Sequence, residues 1–227
     1  MSDFLFLLES RLSLEQWQVV SDMEEAADRV ATNLYLTGGA IRDLIAGLPI
    51  DDLDFVLEGK ISKLFRELKK KKVKILSENV RRQSAEFLFP SGAKTSVSMA
   101  RPNAVEKQGR AAKAAVGTII SDLKSRDFAM NSIAVSLNRY SRGLLIDPAN
   151  GIADIQNQQI RSLHNYVFLD QPVRLFRAVR FRARLGFEMD PKTAVQVENA
   201  VSEGLAEQVA GESLAPGQGH LYTRVAH

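Results

Sequence analysis

Two aspartates separated by one leucine, Asp52-Leu53-Asp54, follow a glycine pair, Gly38-Gly39, that runs into Ala40-Ile41-Arg42-Asp43. On a strand, alternate side chains share a face, so Asp52 and Asp54 project together while Leu53 points into the core. Their Cα atoms would stand roughly 6.5–7 Å apart, a span across which two carboxylates jointly hold Mg²⁺ together with phosphate oxygens. Such an arrangement suits in-line phosphoryl displacement. The glycines let the backbone approach a ligand closely, and they precede a helix start, where free N–H groups favour a phosphate. No GxxxxGK[ST] or GxGxxG pattern is present, which sets aside a P-loop and a dinucleotide fingerprint. Each piece has a bland counterpart: a solvated strand rim for Asp-x-Asp, a turn for Gly-Gly, a surface ion pair for Arg42 and Asp43. The order strand, Gly-Gly, helix, strand, Asp-x-Asp favours function.

The elements that must position these residues are legible in outline. Apolar groups at Trp17, Val20, Met23, Ala27 and Val30 predict a helix over residues 13–32. Leu34-Tyr35-Leu36 predicts a strand into Gly38-Gly39, Ala40–Ala46 a helix, and Leu53–Leu57 a second strand. A helix is predicted over Ile61–Lys70 and strands over Val73–Leu76, Ala85–Phe89 and Lys94–Met99. Residues 101–117 are polar and alanine-rich and predict a mobile loop. Helices are then predicted over Asp127–Leu137, Asp170–Leu185 and Pro191–Ser202. On the second of these, a 3.6-residue period gathers Arg174, Arg177, Arg180 and Arg184 on one side and Leu175, Phe176, Val179 and Ala183 on the other. That basic side is either a solvated face or a track for phosphates. From Gly204 to His227 apolar periodicity is lost, and the stretch is expected to be poorly ordered or a truncated tail.

Composition bounds the rest. The 227 residues carry 30 basic and 27 acidic side chains, a net charge of +3 that permits an anionic partner without demanding one. A chain of this length buries roughly 70–75% of its unfolded surface, so it needs no staples. It has none, since cysteine is absent, which excludes disulfides, thiolate nucleophiles and Cys-ligated zinc. No apolar run approaches the ~20 residues that span a bilayer, and the default setting is reduced and cytoplasmic. His164 and the basic run Lys69-Lys70-Lys71-Lys72 have no assigned role.

The stretch Gly39-Ala40-Ile41-Arg42-Asp43-Leu44-Ile45-Ala46-Gly47 through Asp52-Leu53-Asp54-Phe55 resembles the signature of the class II tRNA nucleotidyltransferase (CCA-adding) and bacterial poly(A) polymerase family, within the polymerase-β-like nucleotidyltransferase superfamily. Three later blocks agree in order. Arg126-Asp127-Phe128 with Asn131 and Ala134 is similar to an RRDFxxNxxA block. Asp147-Pro148-Ala149-Asn150-Gly151 with Asp154-Ile155 and Ile160-Arg161 is similar to DPxxGxxDLxxxxIR. Asp170-Gln171-Pro172-Val173-Arg174 with Arg177-Ala178-Val179-Arg180-Phe181 is similar to EDPxRxxRAxRF.

The resemblance implies an α+β fold: a head with a mixed sheet flanked by helices over residues 1–137, then the end of the head and the start of a helical neck over 138–203, then the tail, 204–227. It implies Mg²⁺ at Asp52 and Asp54, and contacts to the incoming nucleotide's phosphates from Gly38, Gly39 and Arg42. Arg126, Asp127 and Asn131 would fix the sugar and triphosphate. Asp170, Gln171 and Arg174 would read the base edge, with Arg177 and Arg180 on the phosphate and RNA track. The implied partners are ATP, CTP and an RNA 3′ end, that of tRNA above all; the implied activity is template-independent addition of A or C residues by two-metal phosphoryl transfer.

The chain departs from the pattern in three places. Ser96 stands on the strand where the family carries a third acid, with Glu86 on the preceding strand as a substitute. Asp170-Gln171 replaces Glu-Asp in the base-reading pair, which leaves ATP alone and CTP with ATP both open. The chain also stops soon after the neck should begin. The rival reading is a truncated, non-catalytic remnant that binds a nucleotide or RNA, with a nucleotidyltransferase acting on a small substrate as a third.

Overall fold

The computed structural model describes residues 3–80, 83–102 and 117–213. The chain forms two compact units, Met1–Ile155 and Gln156–His227. The division falls at 155/156, inside the stretch 138–203 expected to hold the end of the head and the start of the neck.

The first unit opens with α1 (Asp3–Arg11) and α2 (Leu14–Arg29). Ser13 starts α2 through a reciprocal capping box with Gln16, and the helix buries Val19, Val20, Met23, Ala26 and Ala27 along one stripe. There follow β1 (Asn33–Thr37), α3 (Gly39–Ile45), β2 (Leu53–Glu58) and α4 (Ile61–Lys70). Ile61, Leu64 and Leu68 are buried on α4, at the helical spacing the sequence shows. Next come β3 (Lys74–Asn79), β4 (Ser84–Leu88) and β5 (Lys94–Met99), and the Phe87 ring of β4 stacks on Phe65 of α4 at 5.7 Å between centroids. The unit closes with α5 (Ile119–Lys124), a 3₁₀ turn (Ala129–Asn131), β6 (Ala134–Ser136), β7 (Leu145–Ile146) and α6 (Gly151–Gln156).

Seven strands form one sheet in the order β3-β4-β5-β2-β1-β6-β7. The β2–β5 pair is parallel and the others are antiparallel, so the sheet is mixed as expected. Its register aligns Thr37 of β1, Asp54 of β2, Ser96 of β5 and Glu86 of β4 in one row across four strands. Residues paired across a sheet share a face, so this row is a common surface.

The helix expected over Asp127–Leu137 is replaced by the 3₁₀ turn and β6. Ile133, Ala134, Val135 and Leu137 are all buried. A short continuous apolar run of this kind does not distinguish a central strand from a buried helix, and pairing with β1 decides it here.

The second unit holds β8 (Gln159–Ile160), α7 (Val167–Asp170), α8 (Val173–Leu185), β9 (Glu188–Met189), α9 (Pro191–Ser202) and α10 (Leu205–Ser213). Strands β8 and β9 form a small parallel ladder. Asp190 caps α9 by accepting from the Thr193 N–H at 3.1 Å, and Pro191 sits in its first turn. Helix α10 extends order past Gly204 into the stretch expected to be disordered. The rest of that tail, and most of the expected loop after Arg101, lie outside the described residues.

The basic and apolar sides predicted for α8 are not the sides observed. Its buried residues are Arg174, Leu175, Ala178 and Phe181, whereas Phe176 and Val179 are exposed. The helix buries the i, i+4, i+7 stripe that starts at Arg174, and Arg174 goes in with it.

Candidate active site

Gly38 ends β1 with φ +68 and ψ −127, a conformation that needs glycine. The turn is tight as well as left-handed. A Cβ placed there would stand 3.3 Å from Arg126 Nη1 and 3.9 Å from Asp54 Oδ2. The missing side chain therefore leaves a cradle with the Arg126 guanidinium on one side and an Asp54 carboxylate oxygen on the other. Gly39 opens α3 directly behind it.

Asp52 is exposed just before β2, Leu53 is buried, and Asp54 is half-buried on the strand, the alternation the sequence predicts. Asp54 Oδ1 accepts the hydroxyl hydrogen of Ser96, its register partner on β5. Ser96, where the resemblance implied a third acid, orients Asp54 through this bond. Glu86 lies one strand farther along the row, and among the described residues no group of three or more His, Cys, Asp or Glu side chains gathers to hold a metal ion.

Arg126 is fixed by four hydrogen bonds. Nε and Nη2 donate to Asp122 Oδ2 at 3.1 and 2.9 Å, Nη2 also donates to Thr37 Oγ1 at 3.0 Å, and Nη1 donates to the Asn131 carbonyl at 2.9 Å. Thr37 and Asp122 were not singled out in the sequence. The signal for Asp122 was available: it precedes Arg126 by four residues, the spacing at which opposite charges meet across one helical turn.

Arg42, Asp127 and Asn131 are brought together but face inward, each 3–5% exposed. Arg42 forks onto Asp43 through Nε at 2.8 Å and Nη2 at 2.9 Å, and its Nη1 donates to Asn131 Oδ1 at 2.8 Å. Asn131 Nδ2 in turn donates to Asp127 Oδ1 at 3.2 Å, and the same oxygen takes the Phe128 N–H at 2.8 Å. This buried chain ties α3, which carries the glycine turn, to the 3₁₀ turn whose last carbonyl holds Arg126. A satisfied network of that kind rigidifies what it joins.

The remaining candidates belong to the second unit. Asp170 and Gln171 are exposed at the end of α7. Arg174 is buried, with Nη1 donating to the Val167 carbonyl at 3.5 Å. Arg177 and Arg180 both pack over the Phe181 ring, at 5.4 and 5.6 Å from its centroid, which holds two cations side by side on α8. Burial lowers the pKa of His164 more than the nearby Asp170 carboxylate raises it, and Arg174 lowers it further.

Residues 34–161 match the poly A polymerase head domain family. The A-adding tRNA nucleotidyltransferase of Geobacter sulfurreducens is 34% identical over 86% of this chain and 22% of its own length. That of Halalkalibacterium halodurans is 32% identical over 83% of this chain and 44% of its own. Among solved structures, the Thermotoga maritima CCA-adding enzyme complexed with tRNA-CCA superposes with a TM-score of 0.78 at 30% identity, covering 91% of this chain and 47% of that one. The chain spans less than half the length of these relatives. The family match takes in more than half of the chain, including the glycine turn, both aspartates and the Arg126 block, and on that footing the chain belongs to the poly A polymerase head domain family.

Proposed function

We propose that this chain is a template-independent RNA nucleotidyltransferase that adds A residues from ATP to the 3′ end of tRNA, with Asp52 and Asp54 as its catalytic carboxylates. One observation carries the reading: the Gly38 cradle has a guanidinium nitrogen and an Asp54 carboxylate oxygen on its two sides, at 3.3 and 3.9 Å from the vacant Cβ position. A phosphate needs a cationic donor, and a divalent ion needs carboxylate oxygens.

Two carboxylates without a third fit Mg²⁺, which is ordinarily held by one or two carboxylates plus substrate phosphates rather than by a cage of protein ligands. When bound, the ion supplies Lewis-acid stabilisation of the oxygens that exchange partners at phosphorus. The chain's own residues do the placing. Ser96 turns Asp54 by its hydrogen bond, Arg126 offers the N–H its four bonds leave over, and the Arg42–Asn131–Asp127 chain holds the start of α3, behind the turn, in place. The base-reading role of Asp170, Gln171 and Arg174, and the phosphate-track role of Arg177 and Arg180, belong to the same reading. Its natural setting is the cytoplasm. On this reading, residues 138–203 carry the end of the head, the start of the neck and the nucleotide-recognition region.

A-addition is favoured over C-addition because two of the most similar relatives bear the A-adding name. Asp52→Ala and Asp54→Ala are expected to abolish incorporation of labelled ATP into RNA while far-ultraviolet circular dichroism and melting stay those of the parent. Incorporation surviving in both variants would remove the carboxylate assignment. The second reading, a binding remnant, is favoured by Ser96 at the third-acid position, and it predicts ATP or RNA binding without turnover at any Mg²⁺ concentration.

A further inference from the structure

Asp122 is a buried carboxylate on α5 that none of the roles above uses; its side chain is 1% exposed. Each of its oxygens serves a different arginine. Oδ1 accepts from the Arg101 backbone N–H at 3.3 Å and from Arg101 Nε at 3.0 Å, while Oδ2 accepts from Nε and Nη2 of Arg126. Neighbouring bonds lock the same corner. Ser121 Oγ donates to the Arg101 carbonyl at 2.6 Å, and the Gly117 N–H donates to the Ala100 carbonyl at 3.2 Å. The end of β5 and the start of α5 are thereby stitched together around this one carboxylate.

The consequence falls on Arg126. A guanidinium has five N–H hydrogens in a fixed plane. Four of them go to Asp122 (twice), Thr37 and Asn131, and the fifth, on Nη1, has no partner among the described residues. Nη1 is the nitrogen that stands 3.3 Å from the vacant Cβ position of Gly38. The planar fork leaves little choice of orientation: with Nε and Nη2 both drawn to Oδ2, Nη1 is turned toward the glycine turn and the Asp54 side of the cradle.

We propose that Asp122 is a positioning residue for triphosphate recognition: its carboxylate sets the plane of the Arg126 guanidinium so that the one open N–H faces the Gly38 cradle, and anchors that plane to the end of β5 through Arg101. The inference rests on the nucleotidyltransferase reading of the site and goes beyond it by assigning a residue that never touches the nucleotide.

The test is a double-mutant cycle read in ATP affinity and in KM against kcat for ATP incorporation. Asp122→Asn keeps the shape and removes the charge that draws two N–H groups to one oxygen. It is expected to raise the Kd and KM for ATP about tenfold or more, the scale of a lost charge-assisted pair, with a smaller change in kcat. Arg126→Ala is expected to raise them further, and Asp122→Asn combined with Arg126→Ala should be no worse than Arg126→Ala alone, because the carboxylate then has nothing to position. Unchanged ATP affinity in Asp122→Asn, or deficits that multiply in the double variant, would overturn the proposal, since a general structural role adds to the loss of Arg126 instead of vanishing with it. If Asp122→Asn does not fold, Asp122→Glu keeps the charge but displaces it by a methylene, and the same cycle with the same two outcomes is read. Parent protein that neither binds ATP nor incorporates it would bring down the functional reading itself, whereas an active parent with an additive cycle brings down only the role of Asp122.

Discussion

Gly38 shows how much one residue can determine. Its φ of +68 with ψ −127 costs a non-glycine residue on the order of 1–3 kcal/mol, and a methyl group there presses on Arg126 Nη1 at 3.3 Å. Gly38→Ala is expected to lower the unfolding free energy by roughly that amount in a urea titration, and to raise the KM for ATP, because the same methyl group fills the cradle. Asp122 adds a pH signature. Burial pushes its carboxyl up, but the guanidiniums of Arg126 and Arg101 outweigh burial and hold it below the ordinary value of 3.8. A carboxyl whose folded pKa is depressed contributes stability that is fully present above the unfolded pKa and is lost as the pH falls through the folded one. Unfolding measured against pH should therefore show the parent losing stability below about pH 3.9 more steeply than Asp122→Asn does; parallel curves would contradict the pairing. At this scale the sequence was informative about residue types and silent about direction. Asp52, Leu53 and Asp54 alternate as a strand requires. Arg42 read as a phosphate contact and Arg174 as a base-edge contact, yet both side chains turn inward, and nothing local distinguishes an arginine that serves a ligand from one that serves a buried carboxylate or carbonyl.

Elements with a period of their own were readable. Helix α4 and helix α9 begin and end where the sequence places them, and β1, α3 and β2 follow the order of the glycine and aspartate motifs. Elements defined by their partners were not. Strand β6 is a short apolar run whose identity comes from pairing with β1, and the buried side of α8 is chosen by what it packs on. Gly151 is a case where packing between elements, rather than backbone conformation, demands glycine. A Cβ there would stand 2.0 Å from the Ala129 carbonyl oxygen and 2.7 Å from its carbon, so the start of α6 lies directly on the 3₁₀ turn. Backbone cannot give way as a flexible side chain does. Gly151→Ala is expected to push α6 off that turn, and since the turn carries Asn131, which holds Arg126 through its carbonyl and Arg42 through its amide oxygen, ATP incorporation should fall together with the melting temperature. Full activity with a lowered melting temperature would separate the turn from the site.

For the molecule as a whole, the order of elements and the family resemblance of the motif blocks pointed to the α+β fold and to the family, and both hold. Among the described residues no helix is long and apolar enough to cross a membrane, in line with the absence of an apolar run of that length. Within the stretch 138–203, expected to hold the end of a head and the start of a neck, β7 adds to the sheet edge and α6 seats on the 3₁₀ turn, so residues up to 155 complete the first unit. The central claim is that this chain, which spans less than half the length of its relatives, carries its own nucleotidyl-transfer site on the first unit. It is tested most directly by incubating the purified chain with Mg²⁺, tRNA lacking its terminal residues, and labelled ATP or labelled CTP in separate reactions, with Asp54→Ala alongside. The account predicts labelled tRNA from ATP with the parent and none with Asp54→Ala; equal labelling by parent and variant, or none by a folded parent that still binds ATP, would contradict it.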